Sequence, residues 1–295
     1  MKITVLSSLL REPWMIDHMH ALSSGATVMQ LIDPDQRKFT ERGKLETRLI
    51  SIGMDDWQDN IEDPENNPEL IPSGTIAVVP LHGVMLKYGT MCSYGMMEIA
   101  QELQRLMKDQ NVSGIILDID SPGGAVNAIP PIIDVLKART KPVLMLSDCC
   151  CSAGYYASLY ADHHMASNDI SARYGSIGVM ISFADMQPMW EKQGVKFHTI
   201  LPPESPDKNL SFELAREGKY EMIIEEMLSP MAKRFQKDVR ERRGAKLKEA
   251  PGVLTGKTFD ATTALEYGLI DSIGNFNMAV EKLSLMIELK QFLNQ

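Results

Sequence analysis

Disulfides, membrane spans and basic patches are all missing from this chain of 295 residues, and each absence removes a class of protein. Only four cysteines occur, Cys92, Cys149, Cys150 and Cys151. Three in a row cannot build a disulfide framework, and no CxxC spacing suggests a zinc site. A reducing, cytoplasmic setting is expected. No run of about 20 apolar residues exists, so no membrane span is expected. The short apolar stretch at the N-terminus is interrupted by Arg11 and Glu12, which argues against a signal peptide. Basic residues are outnumbered, 30 Lys and Arg against 39 Asp and Glu, for a formal charge of -9. That balance argues against a nucleic-acid partner. Methionine is plentiful, at 20 residues, and is read as adaptable core filler.

What is present divides near residue 70. Residues 1–70 read as an N-terminal extension, with a short helix over 14–22 and an acidic linker, rich in Asn and Pro, over 55–68. Residues 71–295 alternate strand and helix. Strands are expected at 75–80, 114–119, 142–146, 164–166 and 177–181. Helices are expected at 94–109, 128–139, 152–160, 212–243, 261–267 and 278–288. Pro130 and Pro131 fit the first turn of the helix that holds them. The long segment 212–243 reads as one charged amphipathic helix, either solvated or an assembly element. Such alternation implies an α/β architecture with largely parallel strands.

Two turns stand out. The apolar strand ending at Ile119 runs into Asp120-Ser121-Pro122-Gly123-Gly124. Proline fixes one backbone angle there and two glycines permit positive φ, so the turn can aim N–H groups at a carbonyl oxygen. The strand at 142–146 leads to Cys151-Ser152-Ala153-Gly154-Tyr155-Tyr156 at the mouth of a helix. Ser152 in that place is either a helix N-cap or a nucleophile with the Ala153 amide beside it. Each turn alone is common. Together, in this order, they form a candidate acyl-transfer site.

These residues resemble the signal peptide peptidase A family, including its phage relatives. The resemblance extends through Gly175-Ser176-Ile177-Gly178-Val179, Leu254-Thr255-Gly256 and Ala264-Leu265-Glu266-Tyr267-Gly268-Leu269-Ile270-Asp271, and covers residues 73–275. It implies a Clp protease/crotonase-like fold of stacked β-β-α units and a serine peptidase with a lysine base. Ser152 is then the nucleophile. The N–H groups of Gly124 and Ala153 form the oxyanion hole, Gly123 shapes its turn, and Ser176 orients the lysine. Family members place that lysine beyond a strand, here 194–200, which makes it Lys208, with Lys196 as runner-up. The loop before Lys208 lacks the small-residue and tyrosine lead-in of the family. No metal or other cofactor is implied. The implied partners are a peptide or protein substrate, further copies in a homo-oligomer, and capsid or scaffold proteins of a phage procapsid.

Four rival readings remain open. A histidine base would have to be His163, His164 or His198. A thiol nucleophile would be Cys151. A crotonase-like acyl-CoA enzyme, or a non-catalytic scaffold derived from a protease, would share the architecture without a reactive serine.

Overall fold

A computed structural model describes residues 14–16, 45–51, 71–90 and 93–293. Its ten strands are β1 (Trp14–Ile16), β2 (Arg48–Ile50), β3 (Thr75–His82), β4 (Val112–Ser121), β5 (Gly123–Ala125), β6 (Val143–Cys151), β7 (His163–Ala166), β8 (Arg173–Gly175), β9 (Thr258–Asp260) and β10 (Ser272–Ile273). The helices are α1 (Met96–Lys108), α2 (Ile129–Lys137), α3 (Ala153–Ser158), α4 (Gln187–Lys192), α5 (Leu210–Arg216), α6 (Glu221–Ile223), α7 (Ser229–Arg243), α8 (Ala261–Glu266) and α9 (Phe276–Leu293).

The main sheet runs β10-β7-β6-β4-β3-β2, with β8 also on β6 and β9 on β8. Its central pairings, β3–β4, β4–β6 and β6–β7, are parallel. A parallel sheet needs cover on both faces, which explains the unbroken apolar runs of β3 and β4. Ala77, Val79, Leu81, Ile115, Leu117 and Ile119 pack in one core with α1 and α2. Ile76, Val78, Ile116, Leu144 and Leu146 pack on the other side against Ala279, Val280, Leu283 and Ile287 of α9. The expected stacked β-β-α units are present. In one, β4 turns into β5 and then α2. In the other, β3 passes through Met85, which bridges Gly124 in parallel, and then α1.

Several expectations are corrected. Residues 14–16 are strand, not helix, because their backbone pairs antiparallel with β5; the rest of 17–22 and the linker at 55–68 lie outside the described residues. The strand at β2 adds to the edge of the main sheet beside β3. Residues 177–181 form no extended strand. The strand comes earlier, at β8, and ends where Gly175 and Ser176 both turn to positive φ, 110° and 53°. Residues 194–200 are irregular and exposed, for no strand among the described residues lies alongside to take their backbone bonds. The single helix at 212–243 is broken by a turn at Gly218 (φ 82°) and by a π-helical stretch, Ile224–Leu228, ahead of α7. Pro230 in the first turn of α7 explains the second break: it lacks an N–H for an i→i−4 bond, and its ring crowds the carbonyl four residues back.

Candidate active site

β6 carries the nucleophile candidate because it changes partner along its length. Residues 144–147 pair with β7, whereas 149–151 pair with β8. The sheet therefore opens at Asp148, and the end of β6 comes to lie between β4 and β8. Ser152 follows at φ 52° and ψ −115°. A non-glycine residue in that region costs on the order of 1–3 kcal/mol and persists only where its surroundings hold it. Here the Ser152 N–H donates to the Gly175 carbonyl at 2.9 Å, and the Ser152 carbonyl accepts from Tyr156 N–H at 2.9 Å.

The side chain is not a helix cap. Ser152 Oγ makes no capping bond, although the residue is only 1 % exposed. A buried serine left without such a bond forgoes the stabilisation that an N-cap supplies. Ser152 thus combines a strained backbone with a hydroxyl that makes no cap bond, the two features expected of a candidate nucleophile. α3 has six residues, too few for a large macrodipole, so stabilisation of an anion there falls to the local amides of its first turn, which the helix leaves free. Ala153 N–H is the first of these.

The second amide comes from β5. Gly123 adopts φ 108°, a conformation suited to glycine. Its carbonyl accepts from Met85 N–H at 2.9 Å, and Ala125 N–H donates to the Met85 carbonyl at 2.9 Å. The two peptides flanking Gly124 are thereby oriented, and the Gly124 N–H and C=O both point away from Met85. The approach is so close that a Cβ at Gly124 would stand 2.1 Å from the Met85 oxygen. Each glycine is thus required for its own reason, one for its dihedral and one for lack of space.

Residues that sequence reasoning passed over set this geometry. Ser121 is fully buried and its hydroxyl donates to the Gly83 carbonyl at 2.7 Å while accepting from Gly123 N–H at 3.2 Å. A Cβ at Gly154 would stand 3.3 Å from the Ser121 Cβ, so the small residue after Ala153 lets α3 close onto the turn. The two tyrosines of the serine segment are its anchors. Tyr155 donates to the Leu269 carbonyl at 2.9 Å, and Tyr156 donates to Asp238 of α7 at 2.6 Å and stacks on Phe235 at 4.3 Å between ring centroids. Burial raises both phenols above the usual tyrosine range, so both stay protonated donors. Their placement beside a small-residue turn was visible in the sequence; their partners, far along the chain, were not.

Ser176 follows Gly175, whose carbonyl holds Ser152, and its own N–H donates to the Lys257 carbonyl at 2.8 Å. Ser152 and Ser176 leave the ends of two paired strands side by side, because Cys151 is in register with Gly175. Lys208 is placed differently. It lies exposed in a turn, and its amine has no hydrogen bond or ion pair among the described residues. Lys196 is exposed too. Around these lysines, Trp190, Phe197 and Leu201 are exposed and Ile200 is 91 % exposed.

The rival groups His163, His164 and Cys151 make contacts within the fold. His164 is buried, and burial, helped by Arg243, lowers it to about 3. Arg243 of α7 donates to Asp271 at 2.9 Å and to the Gly268 carbonyl at 2.6 Å, and Asp271 accepts from His164 N–H at 2.9 Å. Burial alone would raise the Asp271 carboxyl; the Arg243 bonds and charge, with Lys246, outweigh it and hold it well below the usual range. The Tyr-Gly-Leu-Ile-Asp segment of the C-terminal signature is accordingly a knot that anchors α7 to β7. His163 bonds Ser272 at 2.8 Å, and His198 is exposed. Burial pushes the Cys150 thiol up to about 12. Cys151 is buried, with its sulfur 3.7 Å from the Arg173 carbonyl. Cys92 lies outside the described residues.

Comparison with known proteins agrees with this geometry. The sequence profile of peptidase family S49 matches residues 135–290, just over half of the chain. The chain is 28 % identical over 224 residues to Protease 4 of Salmonella typhi, covering 74 % of this chain and 36 % of that protein. It is 28 % identical over 199 residues to a putative signal peptide peptidase SppA of Enterococcus faecium, covering 64 % of this chain and 56 % of the other. It is 36 % identical over 135 residues to capsid assembly protease C of Escherichia phage lambda, covering 42 % and 30 %. The chain thus spans about a third to just over half of the length of these relatives.

Proposed function

Since the chain belongs to peptidase family S49, we propose that it is a serine endopeptidase acting through Ser152 and an acyl-enzyme. The observation that carries this reading is Ser152 itself: strained, bound through its backbone on both sides, and keeping its hydroxyl out of the cap its position offers. In this mechanism the Ser152 oxygen attacks a peptide carbonyl. The developing negative charge is met by the N–H groups of Gly124 and Ala153, and Gly123 holds the turn that presents the first of them. Lys208 takes the serine proton and passes it to the leaving amine, with Ser176 orienting its amine.

The exposed, apolar surroundings of Lys208 support a homo-oligomer in which this arm packs on a second copy and delivers the lysine to that copy's Ser152. Burial in such a contact supplies the desolvation that a neutral lysine requires. A substrate chain adds as a strand beside Gly123–Ala125. Among possible settings, the likeness to the lambda capsid assembly protease supports phage head maturation, with capsid or scaffold proteins as substrates, in the cytoplasm or within a procapsid. Among the described residues no helix is long and apolar enough to cross a membrane.

A fluorophosphonate probe tests the nucleophile directly. The wild-type protein is expected to be labelled at Ser152 and to lose peptide hydrolysis on labelling, and Ser152→Ala to take up no label while melting at an unchanged temperature. Labelling that persists in Ser152→Ala would remove the assignment.

A further inference from the structure

The strand edge proposed for substrate is already taken, and by this chain. β1 pairs antiparallel with β5 in the register Trp14↔Ala125, Met15↔Gly124 and Ile16↔Gly123, and lies against α3, the helix that Ser152 opens. β5 has two edges. One is bonded to Met85 through Gly123 and Ala125; the other carries the Gly124 N–H and C=O, and β1 lies along it. In an antiparallel pair, a residue whose backbone groups face its opposite number exchanges both bonds with it. The Met15 carbonyl therefore stands against the Gly124 N–H, the same amide that serves a substrate's oxyanion. An extended segment bonded to that edge, with one carbonyl on that donor, is a peptide in the position of a substrate.

We propose that the chain presents its own Met15–Ile16 peptide bond to Ser152 and cleaves it, clearing the substrate edge of its resident occupant. This inference rests on Ser152 being the nucleophile. The Ser152 oxygen bonds to the Met15 carbonyl carbon as the hydroxyl proton leaves to the base amine. The bond from that carbon to the Ile16 nitrogen breaks, and the proton passes to the nitrogen, giving a new N-terminal amine. Water then adds to the ester, releasing a Met15 carboxylate and restoring the Ser152 hydroxyl. The strand is held intramolecularly, so its effective concentration at the edge exceeds that of a free peptide. External substrate gains the edge once residues up to Met15 dissociate.

The test is intact mass and N-terminal sequencing of the full chain, incubated at concentrations where it self-associates, alongside Ser152→Ala and Met15→Pro. The wild type is expected to lose residues 1–15 and to begin at Ile16. Ser152→Ala is expected to stay whole. Met15→Pro, which has no N–H to give the Gly124 carbonyl, is expected to be cut at least tenfold more slowly. A wild type that takes up fluorophosphonate at Ser152 and cuts peptides yet keeps residues 1–15, or is cut at another bond, overturns the proposal while the peptidase reading stands. A wild type that is neither labelled nor active on peptides brings down both. Cutting of Ser152→Ala at the same bond assigns the event to another protease and also overturns it.

Discussion

The surroundings of Ser152 and the surroundings of Lys208 are built on opposite plans. Around Ser152, β4, β5, β6, β8 and α3 meet with buried side chains, and backbone bonds near 2.9 Å fix the strained residue on both sides. Around Lys208, apolar side chains stand in the open and the segment 194–200 has no strand to pair with among the described residues. Under the proposed mechanism, a single chain completes the half of the site that must be rigid, the nucleophile and its oxyanion donors, and the half that must be desolvated is left for contact with another copy. Pre-organised donors gain from rigidity, because they need not reorganise as charge develops. A neutral amine needs only burial, which an interface can supply.

The largest effect expected from this contrast is on catalysis alone. Lys208→Ala should lower peptide hydrolysis on the order of a thousandfold, the scale of a lost general base, with no change in melting temperature, since its exposed amine has no hydrogen bond or ion pair among the described residues. Steady-state kinetics and calorimetry on the same sample check both halves of that statement. A fall in melting temperature would blur the contrast.

On the rigid side, stability itself should fail. Gly124→Ala places a methyl group against the Met85 carbonyl, and overpacking of that kind costs about 3 kcal/mol. Gly194→Ala, in the exposed arm, meets open space at φ 87° and should cost only the ~1 kcal/mol of a left-handed alanine. Chemical denaturation of the two variants would show the order; equal costs would erase the distinction between the regions.

The smallest effect separates structural from catalytic histidine. Burial holds folded His164 at about 3, so it is neutral when folded and titrates near 6.5 when unfolded. Above that pH neither state binds the proton and stability is flat. As pH falls below it, the unfolded state takes up a proton that the folded state refuses, and stability drops by about 1.4 kcal/mol per pH unit until the folded value is reached. His164→Gln should flatten this slope between pH 6 and 4. A pH–activity profile that follows an imidazole and moves with His164 would instead return histidine to the mechanism.

Much of the rigid region was legible in the sequence, and for a physical reason. The strands at 75–80, 114–119 and 142–146 announce themselves because both faces of a parallel sheet are buried and leave long apolar runs. The Ser-Pro-Gly-Gly turn and the small residues around Ser152 reflect local backbone demands, which a sequence expresses locally. Non-local demands were hidden. Residues 14–22 read as a helix, and only pairing with the distant edge of Gly123–Ala125 makes Trp14–Ile16 a strand. Residues 194–200 carry strand-like composition but have no strand partner among the described residues. The break before α7 was signalled by Pro230, which a reading by charge alone overlooked. Cys151, the thiol read as packing or nucleophile, is buried with its sulfur 3.7 Å from the Arg173 carbonyl, which favours packing. The family match favours the peptidase over the acyl-CoA enzyme that the architecture also allowed.

Co-assembly of Ser152→Ala with Lys208→Ala tests the division between the two regions most directly. Each variant alone is inert by this account. Mixed and allowed to exchange subunits, they should regain peptide hydrolysis, because the intact serine of one copy meets the intact lysine of the other. A mixture that stays as inactive as its parts, while size analysis shows that mixed assemblies have formed, would contradict the account.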